Sequence, residues 1–511
     1  MSDQLISIAT HYHERTKYYP ETIATKNKGL DSSKQPSVFK QYKVGNLYDL
    51  TTYFSEKYPQ DELARQWRRL SRLLTCSYGL TAKVATMGTP LYLRTVPSAG
   101  GLYPAEVYLI SRGTSFFPSG LYNYQSNTHS LIHFWENDVW SDLQEACFED
   151  LSLKDTQLAI ITTAVFERSA WRYEDRAYRR IMLDTGHLLG NIELACAINQ
   201  YRPHLIGGFV DQMINRILYL EPDQEAAITV ISLQDISNGN QILFNLPKKT
   251  IFSSEIHTDY PPIDDGKLLS YFHQATEIRD AEPSPSLTSN LSNLEDKYNF
   301  PFCLKVSTQT SPLDWNNDLI NLENTILKRR STRAYTGENL TLNELKSLLN
   351  FTYQSQDYKK INLDPNPDYF DLELIETFIA VSGVTGLEEG CYYYAPKAQE
   401  LRQIRFKNFR QELHYLCLGQ DLGRDAGSLV FHTADLQKAV AKYGDRAYRY
   451  LHLDAGHLGQ RLNLAAIYLD LGVSGIGGFF DDQVNEVLGI PPEEVVLYIT
   501  TLGRPKRRNQ S

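Results

Sequence analysis

Three arginines and a serine crowd the segment KRRSTRAY (328–335): Arg329, Arg330, Ser331 and Arg333. Guanidinium forks, a hydroxyl and adjacent backbone N–H groups suit a phosphate. The alternative is a solvated basic run. A second segment of chemical interest is Pro97-Ser98-Ala99-Gly100-Gly101, which precedes the apolar run VYLI. Two adjacent glycines let the backbone approach a flat ligand and present N–H donors, although an ordinary glycine turn reads the same way. A third is GIGGF (475–479), too rich in glycine for a helix interior and read as a turn or bulge.

The elements that carry these segments are repeated in the chain. WRYEDRAYRRIMLDTGHLLGNIELA (171–195) aligns without a gap on AKYGDRAYRYLHLDAGHLGQRLNLA (441–465), at an offset of 270. The same offset carries LIGGFVD onto GIGGFFD and SGLYNY onto EGCYYY. Over 171–215 and 441–485, 19 of 45 positions are identical, and the period far exceeds that of solenoid arrays. The chain is therefore a duplicated domain. In each copy the DRAYR-to-LA stretch has helical spacing of apolar residues, as in Leu453, Leu458, Leu462 and Ala465, while LAIITTAVF and VVLYITTLG read as strands. LTLNELKSLL is a helix with Thr341 as candidate N-cap. The expected class is α+β, with a first half over 1–235, a connector over 236–320 rich in Pro, Ser and Asp, and a second half over 321–511.

The copies diverge in complementary ways. At the position of the arginine run the first half has YPQDEL (58–63), with acids. At the position of PSAGG the second half has PDYFD (367–371), without either glycine. Complementary losses are expected if both halves build one shared site. Asp445 and Arg446, with Asp175 and Arg176, recur in both copies and read as structural ion pairs. His187 and His457 read as packing histidines.

Composition limits the rest. The 511 residues carry a net charge of −10, which opposes a general nucleic-acid binder. Six scattered cysteines form no CxxC pair and read as buried thiols in a reducing compartment. No run approaches membrane-spanning length, and the N-terminus lacks a secretory layout; a cytoplasmic location is expected. No metal cluster, GxGxxG turn in a βαβ unit or GxxxxGK[ST] loop is present, so no metal is expected.

In their order, YHERTKYY, FKQYKVGNLYDL, RTVPSAGGLYP, GLYNY, RRSTRAY, KYGDRAYRYLHLDAGH and GIGGF resemble the nitroreductase-like flavoproteins. More narrowly they resemble the SagB-type azoline oxidases, above all the cyanobactin thiazoline oxidases. The resemblance implies a tandem duplication of the nitroreductase-like fold, an antiparallel-rich sheet flanked by helices in each half. The halves would form an intramolecular pseudo-dimer around FMN, open to further homodimerisation. It places Arg329, Arg330, Ser331 and Arg333 at the phosphate, with Arg504 or Lys506 adding charge. Gly475, Ile476, Gly477 and Gly478 would lie along the ring, and Pro97, Ser98, Ala99, Gly100 and Gly101 would approach from the first half. The mirror-image site is expected to lack cofactor. The family's essential Lys-Tyr pair falls at Lys442 and Tyr443, the implied proton-transfer residues. The implied reaction is oxidation of peptide thiazolines, or oxazolines, to azoles in ribosomal peptide natural-product biosynthesis, with O2 as final acceptor. The peptide and the heterocyclase of the same pathway are the implied partners. The alternatives are an NAD(P)H-dependent nitro- or quinone reductase and a non-catalytic partner of a peptide-modifying complex.

Overall fold

A computed structural model describes residues 6–26, 30–55, 61–85, 90–237, 250–279, 285–287, 296–300 and 303–506. Each half is built on a seven-stranded, fully antiparallel sheet. In the first the spatial order is Asn46–Asp49, Ser130–Trp135, Gly120–Gln125, Ala105–Ser111, Leu158–Val165, Glu225–Asp235, Tyr201–Leu205. In the second it is Lys305–Ser307, Glu400–Arg405, Gly390–Ala395, Glu376–Val381, Ser428–Asp435, Glu494–Gly503, Gly472–Ile476. Even the register shifts repeat: one falls between Thr162 and Thr163, its twin between His432 and Thr433. The strands expected from LAIITTAVF and VVLYITTLG are both central.

The GH-containing helices, Ala177–Ile198 and Ala447–Tyr468, are buried over nearly their whole length. They cross each other at Gly186 and Gly456. A Cβ at Gly186 would stand 2.2 Å from the Leu453 carbonyl oxygen, and one at Gly456 would stand 2.3 Å from that of Leu183. Only glycine permits that backbone-to-backbone approach, which sets the pseudo-twofold axis of the chain.

Two reciprocal charge clusters lock the halves. Asp481 of the second half receives Arg176 at 2.8 Å and Arg179 at 2.7 Å from the first. Asp211 of the first half receives Arg446 at 2.6 Å and Arg449 at 2.7 Å from the second. All six side chains are buried. The expected pairing of Asp445 with Arg446 therefore needs correcting. Neighbours in sequence, they point to different partners: Asp445 accepts the backbone N–H groups of Ala9 and His257.

The described parts of the 236–320 stretch, expected to be a connector, pack into both halves. Lys305–Ser307 is the edge strand of the second sheet. The helix Leu268–Ala275 stands to the second half as Ile8–Arg15 stands to the first. Arg449 binds the Thr276 hydroxyl and the His273 carbonyl, as Arg179 binds the Thr16 hydroxyl and the His13 carbonyl. Phe272 and Tyr12 stack on each other, with centroids 4.3 Å apart.

Candidate functional site: a cradle shared by the two halves

The first wall is the PSAGG loop. Gly100 and Gly101 have φ of +67° and +68°, a left-handed region that side chains disfavour. Asp184, on the buried central helix, holds the loop: it accepts the Ser98 hydroxyl at 2.6 Å and the Ala99 N–H at 3.2 Å. Burial pushes the Asp184 carboxyl up to about 7, against the pull of those two donors and of Arg180. A Cβ on Gly100 would stand 2.9 Å from the Tyr173 hydroxyl and 3.3 Å from Cδ of Arg172, so Arg172 and Tyr173 flank this loop.

The second wall comes from the other half. Arg329 donates through Nε to the Thr95 carbonyl at 2.5 Å and through Nη2 to that of Arg94 at 3.1 Å, immediately before PSAGG. Arg330 reaches the Thr81 carbonyl. Thr332 and Val473 exchange hydrogen bonds, which ties the arginine loop to the strand Gly472–Ile476. Arg329 is only 2% exposed. Burial lowers its pKa to about 10, with Arg330 and Arg333 adding to the fall and Tyr103 and Tyr498 opposing it. Its Nη1 lies 3.4 Å from the Ser331 hydroxyl, so neutral oxygens meet the buried charge, and an anion beside it would be favoured. Arg333 is exposed beside Arg329.

The two walls meet at Arg180 of the first half. Its Nη2 donates to the Gly477 carbonyl at 3.2 Å, and its guanidinium lies 3.7 Å from the Tyr173 ring centroid. Gly477 and Gly478 are half-buried against it. Gly475 and Ile476, expected in a turn, belong instead to the strand. A Cβ at Gly475 would be 1.9 Å from the Tyr498 hydroxyl, so this glycine serves a close cross-strand approach; Ile476 packs in the apolar layer with Phe479 and Val484.

Four of the expected site residues lie elsewhere. Arg504 is committed to Glu344, with two 2.8 Å contacts, and Glu344 also completes the capping box with Thr341. Lys506 follows at the chain's tail, its backbone N–H on Ala334. Lys442 and Tyr443 are not brought to the cradle. Both bind Asp371, at 2.6 and 2.7 Å, in the PDYFD segment of their own half. The reason is geometric: each dipeptide lies against the loop of its own half, so the cradle with PSAGG receives Arg172 and Tyr173.

At the mirror position the chain fills the space itself. Gly208 packs on Phe252, which lies 2.6 Å from where a Cβ would be, and Phe370 stacks on Tyr450 with centroids 4.5 Å apart. Of the acidic segment that replaces the arginine run there, Tyr58, Pro59 and Gln60 lie outside the described residues.

His187 is buried between Gln460 and Tyr498, both at 2.9 Å, and burial lowers its pKa to about 3. His457 binds Glu193 at 3.0 Å. Both are packing groups. Among the described residues no cluster of His, Cys, Asp or Glu has metal-binding geometry, and no helix is long and apolar enough to cross a membrane. Five cysteines are buried free thiols, and Cys303 is half-buried. Sequence reasoning missed Arg180, Tyr173 and Asp184 as site residues. For Arg180 a signal existed: inside the repeat it aligns with Tyr450.

Comparison with known proteins places this geometry. A solved structure from Anabaena variabilis, described as of nitroreductase type, is 65% identical, with a TM-score of 0.93 over 98% of this chain and 100% of its own. The nitroreductase-type protein MJ1384 of Methanocaldococcus jannaschii is 33% identical over 186 residues, 36% of this chain and 91% of its own. The microcin B17-processing protein McbC of Escherichia coli is 24% identical over 155 residues, 28% of this chain and 55% of its own. The Nitroreductase family matches residues 61–232 and again 326–504, one match in each half, and the chain belongs to that family.

Proposed function

We propose that the chain is an FMN-dependent oxidase that converts azoline rings of a ribosomal peptide, thiazolines and also oxazolines, to azoles. The observation that carries the cofactor is Arg329: a buried cation, flanked by cations, beside a glycine loop of the opposite half. Arg329, Ser331 and Arg333 would hold the phosphate, with Gly477 and Gly478 on one side of the ring and Ala99 to Gly101 on the other. The likeness to McbC, whose name ties it to microcin B17 processing, supports a peptide substrate.

When bound, FMN supplies a two-electron acceptor that O2 can restore, with hydrogen peroxide as the product. The chain's own residues then have three tasks. Asp184 fixes Ser98 and Ala99, and with them the loop. Tyr173 sets its hydroxyl against Gly100, and burial raises its pKa above the ordinary value. Ring oxidation also releases a proton, and the titratable side chains set against the loop are Asp184 and Tyr173, not Lys442 and Tyr443.

Mass spectrometry tests the reading. The chain, FMN, air and a thiazoline peptide should yield a product lighter by two hydrogens per ring, with peroxide in equal amount. An unchanged peptide, together with rapid bleaching of bound flavin by NADPH alone, would overturn it in favour of a reductase.

A further inference from the structure

Arg180 occupies a position where the halves part company. It is 6% exposed, on the central helix Ala177–Ile198. Nη2 is satisfied by the Gly477 carbonyl, but Nη1 is buried and has no hydrogen-bond partner in the protein. A buried donor on a charged group is costly to leave unmade, and its presence marks a place where something else supplies the acceptor. The equivalent residue in the second half, Tyr450, does the same structural job without a spare donor. Its hydroxyl lies 2.9 Å from the Gly207 carbonyl and 2.9 Å from that of Phe252. Bridging to the GG carbonyl of the opposite half thus needs only a hydroxyl. The extra charged N–H of Arg180 is present only where the cradle is intact.

We propose that Arg180 is a cofactor ligand: its free N–H meets a carbonyl edge of the flavin ring, and its charge makes the reduced, more negative form bind more tightly than the oxidised form. This rests on the flavin reading above. The ring π-system of Tyr173, under the guanidinium, holds the fork at a fixed angle. A cation there sets the cofactor's potential without touching the peptide.

The test uses the full chain loaded with FMN. Arg180→Met should weaken FMN binding about tenfold, the scale of one charge-assisted hydrogen bond. It should also lower the ratio of reduced to oxidised affinity about tenfold, which lowers the midpoint potential by about 30 mV. Arg180→Lys, which keeps the charge on a smaller change, should retain most of the potential, and Tyr450→Phe should leave it unmoved. Binding is read by flavin fluorescence and the potential by dye equilibration against the visible spectrum. Wild-type affinity and potential in Arg180→Met would overturn the inference and leave the flavin reading intact. A wild-type chain that binds no FMN would instead overturn the flavin reading itself.

Discussion

Replacing Arg329 by Met should separate cofactor binding from stability, because the two place opposite demands on this residue. Burial and two cationic neighbours bring its pKa from the ordinary 12.5 to about 10. At about 1.4 kcal/mol per pKa unit, the charged form costs about 3 kcal/mol in the cofactor-free chain. Methionine removes that cost and fills much of the same volume. It also removes two hydrogen bonds to the Thr95 and Arg94 carbonyls, each worth about 1.5 kcal/mol because the donor is charged, and a long, weak one to the Ser331 hydroxyl. The two changes nearly cancel, so the cofactor-free variant should unfold in urea within about 2 kcal/mol of wild type. FMN affinity behaves differently, since a phosphate loses a charged, desolvated partner worth about 3 kcal/mol, or about a hundredfold in Kd. Arg329→Lys keeps the charge without the fork and should fall between. Equilibrium unfolding without cofactor and fluorescence titration with FMN measure both quantities. A variant destabilised by more than about 4 kcal/mol that still bound FMN at wild-type affinity would make Arg329 a clamp between halves and refute the anion argument.

The reciprocal interlocks should be costly to break: Asp211→Ala strands Arg446 and Arg449, and Asp481→Ala strands Arg176 and Arg179, each losing about 3–5 kcal/mol by urea unfolding. Asp184 carries a raised pKa, so the folded state holds its proton longer than the unfolded state, and this group's contribution to stability declines as pH rises from about 4 to about 7. Asp184→Asn should flatten that window and, at pH 8, gain up to about 4 kcal/mol less about 1 for the lost acceptor, measured as the difference between variant and wild-type unfolding curves. Lys442→Met should leave FMN affinity within about twofold of wild type, since Lys442 lies with Asp371 and not at the cradle.

The duplication was legible because 270 residues separate matching strands, glycines and DRAYR segments with hardly a gap, and it fixed both sheets. The cradle was legible for a different reason. Arginines survive in one copy and glycines in the other, the pattern expected of a shared site. Lys442 and Tyr443 went astray because alignment says which residues correspond but not which wall each one faces; the pseudo-twofold axis decides that, and it passes between Gly186 and Gly456. Arg504 was lost to Glu344, 160 residues away in sequence and already bound to a helix N-terminus. Leu268–Ala275 was hidden inside a polar stretch because its likeness to Ile8–Arg15 rests on little more than His273 for His13 and Thr276 for Thr16.

What the two halves kept and what they lost follow from one energetic asymmetry. Each interlock buries one carboxylate with two guanidiniums, so the loss of a single partner leaves uncompensated charge inside the protein. Both copies of DRAYR and of the terminal Asp in GGFVD and GGFFD therefore persist. A ligand cradle has no such protection. Once one cradle suffices, its twin can exchange glycine for Phe370, Arg180's counterpart for Tyr450, and open space for Phe252, and every one of these changes adds apolar contact. Lys442, Tyr443 and Asp371 fit the same logic: Asp371 stands where Gly101 stands in the first half, and the ion pair it makes with Lys442 occupies the place where that glycine would leave backbone open to a ligand. Packing pressure alone is enough to turn the second site into interior, while charge burial forbids the halves from drifting apart.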